Sequence, residues 1–312
     1  MNITNPTKTV YCYYFPEVRE IISRITKEYP HDIYLRSVDP GLDDYHEKAV
    51  AEYVAHMKDV MPGLVSFPYR YTSAGASESI FHILSNIKAF ESHVPLYILD
   101  GEYEGYAGYG ENIGLKFTSV PLESSFENLD KGIFFISNPS ARNGNILPND
   151  LIEKIGNAGH EIIFDATYVG LTDPKEFLVD HPSIRSVIVS LSKPFGLYYY
   201  RIGFCFSRKE LLTLYVNKWF KNILSHLIAD EILVKYRSSE LVSLYRLYQA
   251  RAVERLREMY NLPIKPSDVL ILAHIHSSEV PEEKKSEIEE FRRGEWYRFC
   301  VTPFFLEFDN NK

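Results

Sequence analysis

The sequence predicts an α/β fold, in which a mostly parallel β-sheet is covered by helices and a smaller α+β lobe is attached. Short apolar segments alternate with segments of helical periodicity through the middle of the chain, which is typical of a parallel sheet. Beyond Arg201 the chain becomes strongly helical before it returns to two strand-like segments. We therefore expect a large domain over 45–215, and a small domain built from 1–44 and 216–312.

Four segments have the length and composition of buried strands. They are Leu96–Leu99, Gly132–Ser137, Glu161–Phe164 and Ser186–Ser190. A parallel sheet collects its ligands at the carboxyl ends of its strands. The residues of chemical interest that follow these ends are Tyr103, Tyr106, Asn138, Asp165, Tyr168 and Lys193. We expect these side chains to converge.

Helices are predicted before, between and after these strands, where apolar residues recur at spacings of three and four residues. The predicted helices are 16–25, 45–57, one that opens within 72–81, 149–158, 209–236 and 239–260. Two later strands are predicted over 269–275 and 296–301. The small α+β lobe then comes from the C-terminal residues joined by the N-terminal segment.

Composition narrows the class of protein. A chain of 312 residues with 45% hydrophobic residues buries a sizeable core, and no segment approaches the ~20 consecutive apolar residues that span a bilayer. The formal charge of −8 argues against nucleic acid as the main partner, because phosphate binding needs a concentrated basic face. Cys12, Cys205 and Cys300 lack paired spacing, so we expect reduced thiols in a cytoplasmic protein.

The segment Ser190–Gly203 carries the residues most indicative of chemistry. Ser190 and Ser192 lie just before Lys193, and Arg201 follows the lysine. An amine nucleophile beside donors suited to a phosphate dianion is what a Schiff-base enzyme with a phosphorylated aldehyde cofactor requires. The hypothesis is therefore an enzyme that uses pyridoxal phosphate (PLP).

Four other residues would complete such a site. Asp165 directly follows a strand, where a buried carboxylate must be paired or functional because an isolated charge is costly. Tyr168 would reach the oxygen O3′ of the pyridine ring, and Tyr106 would stack on the ring face. Arg298, within an apolar strand, suits a carboxylate bidentately. Ordinary roles compete with these: a helix cap for the aspartate, packing or loop positions for the tyrosines, and an edge-strand position for the arginine.

Two weaker motifs have separate interpretations. The small residues Ala76 and Ser77 open a helix, where backbone N–H groups and the helix dipole favour an anion, although an ordinary helix cap explains them too. His274 and His276 alternate on a strand, but no third ligand stands at a suitable spacing. We therefore expect no metal site.

Together these residues resemble those of fold-type I PLP enzymes, in the class I/II aminotransferase family that includes aspartate and histidinol-phosphate aminotransferases. The similarity runs from about Tyr45 to Arg298 and is strongest in Ser190–Tyr198 and Arg201–Gly203. The resemblance implies an aminotransferase that moves an amino group between an α-amino acid and a 2-oxo acid. It also implies a homodimer whose active sites are shared between subunits.

The resemblance assigns a role to each candidate residue. Lys193 forms the internal aldimine and shuttles the Cα proton, Asp165 holds the pyridine nitrogen, and Arg298 takes the substrate α-carboxylate. Tyr168 approaches O3′, and Tyr106 stacks on the ring face. Tyr45 reaches the phosphate bound by the neighbouring subunit. The phosphate of the same subunit is bound by Ser190, Ser192, Arg201 and the backbone of Ala76 and Ser77.

One segment departs from the family pattern. The family's Asn-Asn-Pro-Thr-Gly corresponds to Ser140–Gly144, so the asparagine that touches O3′ aligns with Ala141, and Arg142 replaces the proline. Loss of that donor alters the electronics at O3′ unless Asn138 or Tyr168 compensates, and Arg142 is available for an acidic substrate group. The alternative function is therefore a PLP-dependent decarboxylase, lyase or cyclase of a specialised biosynthetic pathway. A binding or regulatory module that has lost catalysis is a third.

Overall fold

A computed structural model describes residues 5–10, 16–28, 35, 42–217, 222–236 and 240–310. The helices in these ranges are α1 (Pro16–Glu28), α2 (Leu42–His56), α3 (Ala76–Phe90), α4 (Gly105–Asn112), α5 (Asn149–Asn157), α6 (Leu212–Asn217), α7 (Ile223–Lys235), α8 (Glu240–Tyr260), α9 (Glu282–Ile288) and α10 (Thr302–Asn310). The strands are β1 (Tyr69–Ser73), β2 (Leu96–Leu99), β3 (Phe117–Val120), β4 (Ile133–Ser137), β5 (Glu161–Asp165), β6 (Ile184–Ser190), β7 (Gly203–Ser207), β8 (Lys265–Pro266), β9 (Leu272–His276), β10 (Arg292–Arg293) and β11 (Trp296–Cys300).

The larger sheet has seven strands in the order β1-β7-β6-β5-β4-β2-β3. The five strands β2 to β6 are parallel to one another. Strand β7 runs antiparallel to both of its neighbours, β1 and β6. The predicted α/β fold with a mostly parallel sheet is therefore confirmed. Strands β1 and β3 lie at the edges and are partly exposed, so their sequences lack the continuous apolar character that reveals a central strand.

Two apolar clusters pack on opposite faces of this sheet. In β4, Ile133 and Phe135 belong to the cluster that contains the buried face of α3. Phe134 and Ile136 belong to the cluster on the other face. Successive side chains of a strand point to opposite faces, and burial of both faces explains why β4 is apolar throughout.

A second, antiparallel sheet is formed by C-terminal residues in the order β10-β11-β9-β8. The N-terminal segment joins it, because the N–H of Thr7 donates to the carbonyl of Cys300 at 3.3 Å and the N–H of Cys300 donates back at 2.9 Å. The predicted smaller lobe from both ends of the chain is confirmed. The domain boundaries over 1–44, 45–215 and 216–312 stay a prediction.

Two helical predictions need correction. The residues after Tyr103, where no helix was expected, form α4, and the fully buried ring of Tyr106 anchors it despite its glycines. The single helix expected over 209–236 is instead α6 and α7. Asn222 caps the second of these by accepting a hydrogen bond from the N–H of Leu224 at 3.0 Å, and such a cap begins a new helix.

The strand expected over 269–275 begins later, at Leu272. The N–H of Val269 donates instead to the carbonyl of Gly144 at 2.9 Å, outside the sheet. This bond fixes the turn before β9 against the loop that follows β4. An apolar sequence alone does not distinguish a strand from such a buried turn.

Two further features bear on the environment of the protein. Cys205 and Cys300 are buried free thiols, while Cys12 lies outside the described residues. Burial raises the pKa of Cys205 to about 12, so this thiol keeps its proton at neutral pH. Within the described ranges, no helix combines the length and apolar character needed to cross a membrane.

Candidate active site

The carboxyl edge of the larger sheet brings several predicted site residues together. Strand β5 ends at Asp165, and β6 ends at Ser190, shortly before Lys193. Because β7 is antiparallel, its first residue Gly203 pairs with Ser190 at this same edge, and Arg201 lies two residues before Gly203. Burial raises the pKa of Asp165, and the positive charge of Lys193 is among the influences that oppose the rise, so the lysine acts on the aspartate across the edge.

Asp165 is held by three hydrogen-bond donors. Its Oδ2 accepts from the hydroxyl of Tyr106 at 2.8 Å, and its Oδ1 accepts from the N–H of Thr167 at 2.9 Å and from the Thr167 hydroxyl. Burial raises the pKa of Asp165 even though these donors oppose the rise. A buried carboxylate of this kind gains from a neighbouring cation, and a protonated pyridine nitrogen is such a cation.

The structure gives Tyr106 a different contact from the predicted ring stacking. Its ring is fully buried and packs on Phe135 with centroids 5.4 Å apart. The Tyr106 hydroxyl donates a hydrogen bond to Asp165, so Tyr106 orients the carboxylate. Tyr103 stands edge-on to it at 5.3 Å and is only half-buried. The sequence placed both tyrosines at this edge and assigned the stacking role to Tyr106, because nothing in the pattern distinguishes two tyrosines in one short segment.

The start of α3 lies against the guanidinium of Arg201, and this pair could serve as a cradle for an anion. Gly75, just before α3, has a φ of +84°, and a Cβ there would lie 2.8 Å from Nη2 of Arg201. Only glycine allows so close an approach. The first N–H groups of an α-helix have no acceptor within the helix, so those of Ala76 and Ser77 are available beside the guanidinium.

The two predicted serines differ in their contacts. The Oγ of Ser190 accepts from the N–H of Ser192 at 3.2 Å. The Oγ of Ser192 is buried and has no hydrogen-bond partner among the described residues. An unsatisfied buried hydroxyl costs about 1–3 kcal/mol, and a phosphate oxygen in this cradle would satisfy it. The residues present therefore fit PLP.

The N-terminal segment lies across the same site. The Nζ of Lys193 donates a hydrogen bond to the carbonyl of Val10 at 2.9 Å. The guanidinium of Arg298 donates to the carbonyls of Lys8, at 3.1 Å, and Ala141. Both the predicted nucleophile, Lys193, and the predicted ligand of the substrate carboxylate, Arg298, thus donate hydrogen bonds to neutral backbone carbonyls. Both groups remain able to exchange these acceptors for stronger ones.

Two further tyrosines, Tyr168 and Tyr45, were predicted to contact the cofactor. Burial raises the pKa of Tyr168 to about 12, although the charge of Arg298 opposes the rise. Tyr168 therefore remains a protonated donor at neutral pH. Tyr45 lies half-buried in the first turn of α2, and its contact with a second subunit's phosphate stays a prediction.

Glu102 is a buried residue of the site region that sequence reasoning missed. Its carboxylate accepts from the N–H of Tyr103 at 2.9 Å, and from the N–H of Ser137 at 3.1 Å as well as its hydroxyl. The Ser137 Oγ in turn accepts from the N–H of Ala141 at 2.6 Å. This network fixes the loop after β4. The available signal was that Glu102 follows the end of β2, much as Asp165 ends β5.

His274 has a packing role in the structure. Its Nδ1 lies 3.1 Å from the hydroxyl of Ser267, and its Nε2 lies 3.4 Å from Nδ2 of Asn145. Burial lowers the pKa of His274 to about 4, so the ring is neutral under physiological conditions. In the part of the chain that the structure describes, no three side chains are grouped as metal ligands.

Relatives in sequence are aminotransferases. Residues 72–259 match the family described as aminotransferase class I and II. A histidinol-phosphate aminotransferase from Cytophaga hutchinsonii is 30% identical over 131 residues, which cover 38% of this chain and 36% of that protein. Another, from Pseudomonas syringae pv. syringae, is 28% identical over 184 residues, covering 56% and 49%. The matches thus span about a third to a half of these relatives' own length.

Solved structures show the same fold over nearly the whole chain. A methionine aminotransferase from Escherichia coli has a TM-score of 0.69 at 12% identity, covering 96% of this chain and 89% of that one. A PLP-bound structure from Clostridium difficile 630 has a TM-score of 0.71 at 11% identity, with the same coverage of 96% and 89%. Such low identities support the fold alone. Because the family match extends over more than half of the sequence, the chain belongs to the class I and II aminotransferase family of PLP-dependent transferases.

Proposed function

We propose that this chain is an aminotransferase that moves an amino group between an α-amino acid and a 2-oxo acid. The observation that carries the proposal is the convergence of Lys193, Asp165 and the Gly75–Arg201 cradle at one sheet edge. When bound there, PLP supplies an electrophilic aldehyde and a ring that withdraws electrons.

Lys193 is the proposed nucleophile and proton carrier. Its half-buried amine donates to the carbonyl of Val10 at 2.9 Å. With PLP bound, this amine would be the residue that holds the cofactor aldehyde, with loss of water. The same amine would remove and return a proton at the substrate Cα. Asp165 holds the proton on the pyridine nitrogen, and Tyr106 keeps the carboxylate oriented.

Arg298 is the proposed ligand of the substrate α-carboxylate. Only 3% of its surface is exposed, and its Nε has no hydrogen-bond partner within the described ranges. A carboxylate makes shorter and stronger charge-assisted bonds than the neutral carbonyls of Lys8 and Ala141. Substrate is therefore expected to displace at least one of these carbonyls.

The ring is proposed to lie between Tyr103 and the sheet edge. Because Tyr106 is fully buried, its ring offers no free face to a ligand. Tyr103 is half-buried; burial raises its pKa, and the charges of Asp165 and Arg293 also act on its phenol. The phenol of Tyr168 is proposed to donate to O3′, which compensates for the alanine at position 141. This assignment moves the stacking role from Tyr106 to Tyr103.

A homodimer with shared active sites is also proposed, in which Tyr45 contacts the cofactor phosphate bound by the neighbouring subunit. Two large aromatic side chains just before Arg201, Tyr198 and Tyr199, are 50% and 87% exposed, and grouped exposed aromatics commonly mark an interface. Light scattering at micromolar concentration tests the proposal, since a monomer contradicts it. A cytoplasmic location is proposed as well, because the described cysteines, Cys205 and Cys300, are free thiols and disulfides are typical of oxidising compartments.

The decisive experiment follows the absorbance of bound cofactor through both half-reactions. Donors, including glutamate, aspartate and the histidinol phosphate named for the relatives, are expected to convert it to the amine form, and a 2-oxo acid to restore it. The variant Lys193→Ala is expected to bind PLP without the covalent link. Conversion that no 2-oxo acid reverses would favour a decarboxylase, lyase or cyclase. A chain that ignores PLP would favour the binding module.

A further inference from the structure

We propose that Arg142 binds a second anionic group, a carboxylate or phosphate on the side chain of the substrate. This inference rests on the proposed function and names the class of substrate. Arg142 follows Ala141, whose carbonyl accepts a hydrogen bond from Arg298. The residue is therefore adjacent in the chain to the backbone group that Arg298 holds at the proposed α-carboxylate site.

Arg142 is a buried cation with no anionic side chain paired to it in the described ranges. Only 6% of its surface is exposed. Its Nε has no hydrogen-bond partner, and its guanidinium has no ion pair, among the residues that the structure describes. Burial of an unpaired charge is costly, and buried charges in proteins are normally paired. An anion delivered by a ligand accounts for a guanidinium kept in such a place.

The two other buried arginines on this side have partners. Arg293 forms an ion pair with Glu104, with Nη2 2.9 Å from Oε1, and Arg298 donates to two carbonyls. Burial, and next the charge of Arg298, lower the pKa of Arg293 to about 10, so positive charges already oppose one another here. Of these three buried guanidinium groups, that of Arg142 has no hydrogen-bond acceptor among the residues that the structure describes. A second negative group on the substrate would supply one.

The backbone around Arg142 is already fixed. Its N–H donates to the Oγ of Ser140 at 3.2 Å, and the preceding N–H, of Ala141, donates to the Oγ of Ser137 at 2.6 Å. A planar guanidinium on a rigid loop binds a carboxylate or phosphate bidentately with little loss of freedom. The loop that lacks the family's asparagine thus carries a specificity determinant instead.

The test compares two pairs of donors that differ in charge: glutamate with glutamine, and O-phosphoserine with serine. Single-turnover conversion of the bound cofactor gives an apparent dissociation constant for each donor. In Arg142→Met, the constant for an anionic donor is expected to rise by about 10- to 100-fold, while the neutral partner is unaffected. The pair that responds identifies carboxylate or phosphate. Arg142→Lys should restore part of the preference.

The matched control is Arg292→Met, at an exposed arginine of β10 bonded to Glu289 at 3.3 Å, which should leave every donor unchanged. Glutarate and butyrate lack the reacting amino group, so their titration by calorimetry reports binding without turnover. Thermal unfolding confirms that Arg142→Met is folded. Equal losses for charged and neutral donors, or no loss for either anion, would overturn the inference. Failure of the proposed function has another signature, because no donor would then convert the wild-type cofactor.

Discussion

The hydroxyl of Tyr106 donates a hydrogen bond of 2.8 Å to Oδ2 of Asp165. Burial raises the pKa of both groups, so the phenol keeps its proton and continues to face the carboxylate as a donor. Thr167 engages the other carboxylate oxygen. The large sheet and the helix that follows β2 therefore orient Asp165 before any ligand arrives.

Replacement of Asp165 by Asn should separate folding stability from cofactor binding. Because folding raises the pKa of Asp165, its ionised form weakens the fold above the unfolded pKa of about 4, and this cost disappears as the pH falls below that value. The unfolding midpoint of cofactor-free Asp165→Asn, relative to wild type, should therefore rise between about pH 4 and neutral pH. PLP affinity should fall, since an amide does not pair with a pyridinium. A relative midpoint that falls with pH would contradict this account.

Substitution of Gly75 should damage the anion cradle. At φ +84° and ψ 174° this backbone is accessible essentially to glycine alone, and a Cβ would lie 2.8 Å from Nη2 of Arg201. We expect Gly75→Ala to lose about 1–3 kcal/mol of stability and to bind PLP more weakly in a spectral titration.

The control for that change is Gly108→Ala, within α4. A Cβ at Gly108 meets nothing within 4 Å, and alanine in a helix interior is more favourable than glycine by about 0.5–1 kcal/mol. Chemical denaturation should show a small gain in stability, with PLP affinity unchanged. Similar behaviour of the two variants would argue against the cradle.

Removal of the phosphate donors should weaken cofactor binding by graded amounts. Arg201→Ala should cost at least about 1.5–3 kcal/mol, the scale of hydrogen bonds to charged groups, and Ser192→Ala somewhat less. Ser186→Ala is the matched control, because the Ser186 hydroxyl is buried against that of Ser207 at 3.0 Å, within the sheet. Equilibrium titration with PLP measures all three. Unchanged affinity in Arg201→Ala would contradict its role.

Glu102→Gln should destabilise the loop after β4. The side-chain amide would turn an N–H group toward donors of Ser137 or Tyr103 that now meet a carboxylate oxygen, and an unsatisfied buried group costs about 1–3 kcal/mol. Denaturant unfolding measures this loss. Glu123→Gln, at an exposed position, should have no effect. Equal stability of the two variants would show that the network does not hold the loop.

The sequence by itself determined the fold class and the chain positions of the main candidates. Central strands are apolar on both faces because helices cover both, so β4, β5 and β6 were recognisable. Residues just beyond such strands must meet at one edge, which identified Asp165 and Lys193 as neighbours. The small residues Ala76 and Ser77 at the start of α3 were compatible with an anion site or an ordinary helix cap, and the anion site stays a prediction.

Only the tertiary structure decided which side chains meet. Tyr103 and Tyr106 are equivalent in the sequence, and burial against Phe135 made one of them a support for Asp165. The contact of Val10 with Lys193 joins residues far apart in the chain, as does the pairing of Glu102 with Ser137. Local patterns report which face of an element is buried, whereas partners of polar groups depend on packing between distant segments. That Arg142 lacks an ion pair among the described residues is likewise visible only through that packing.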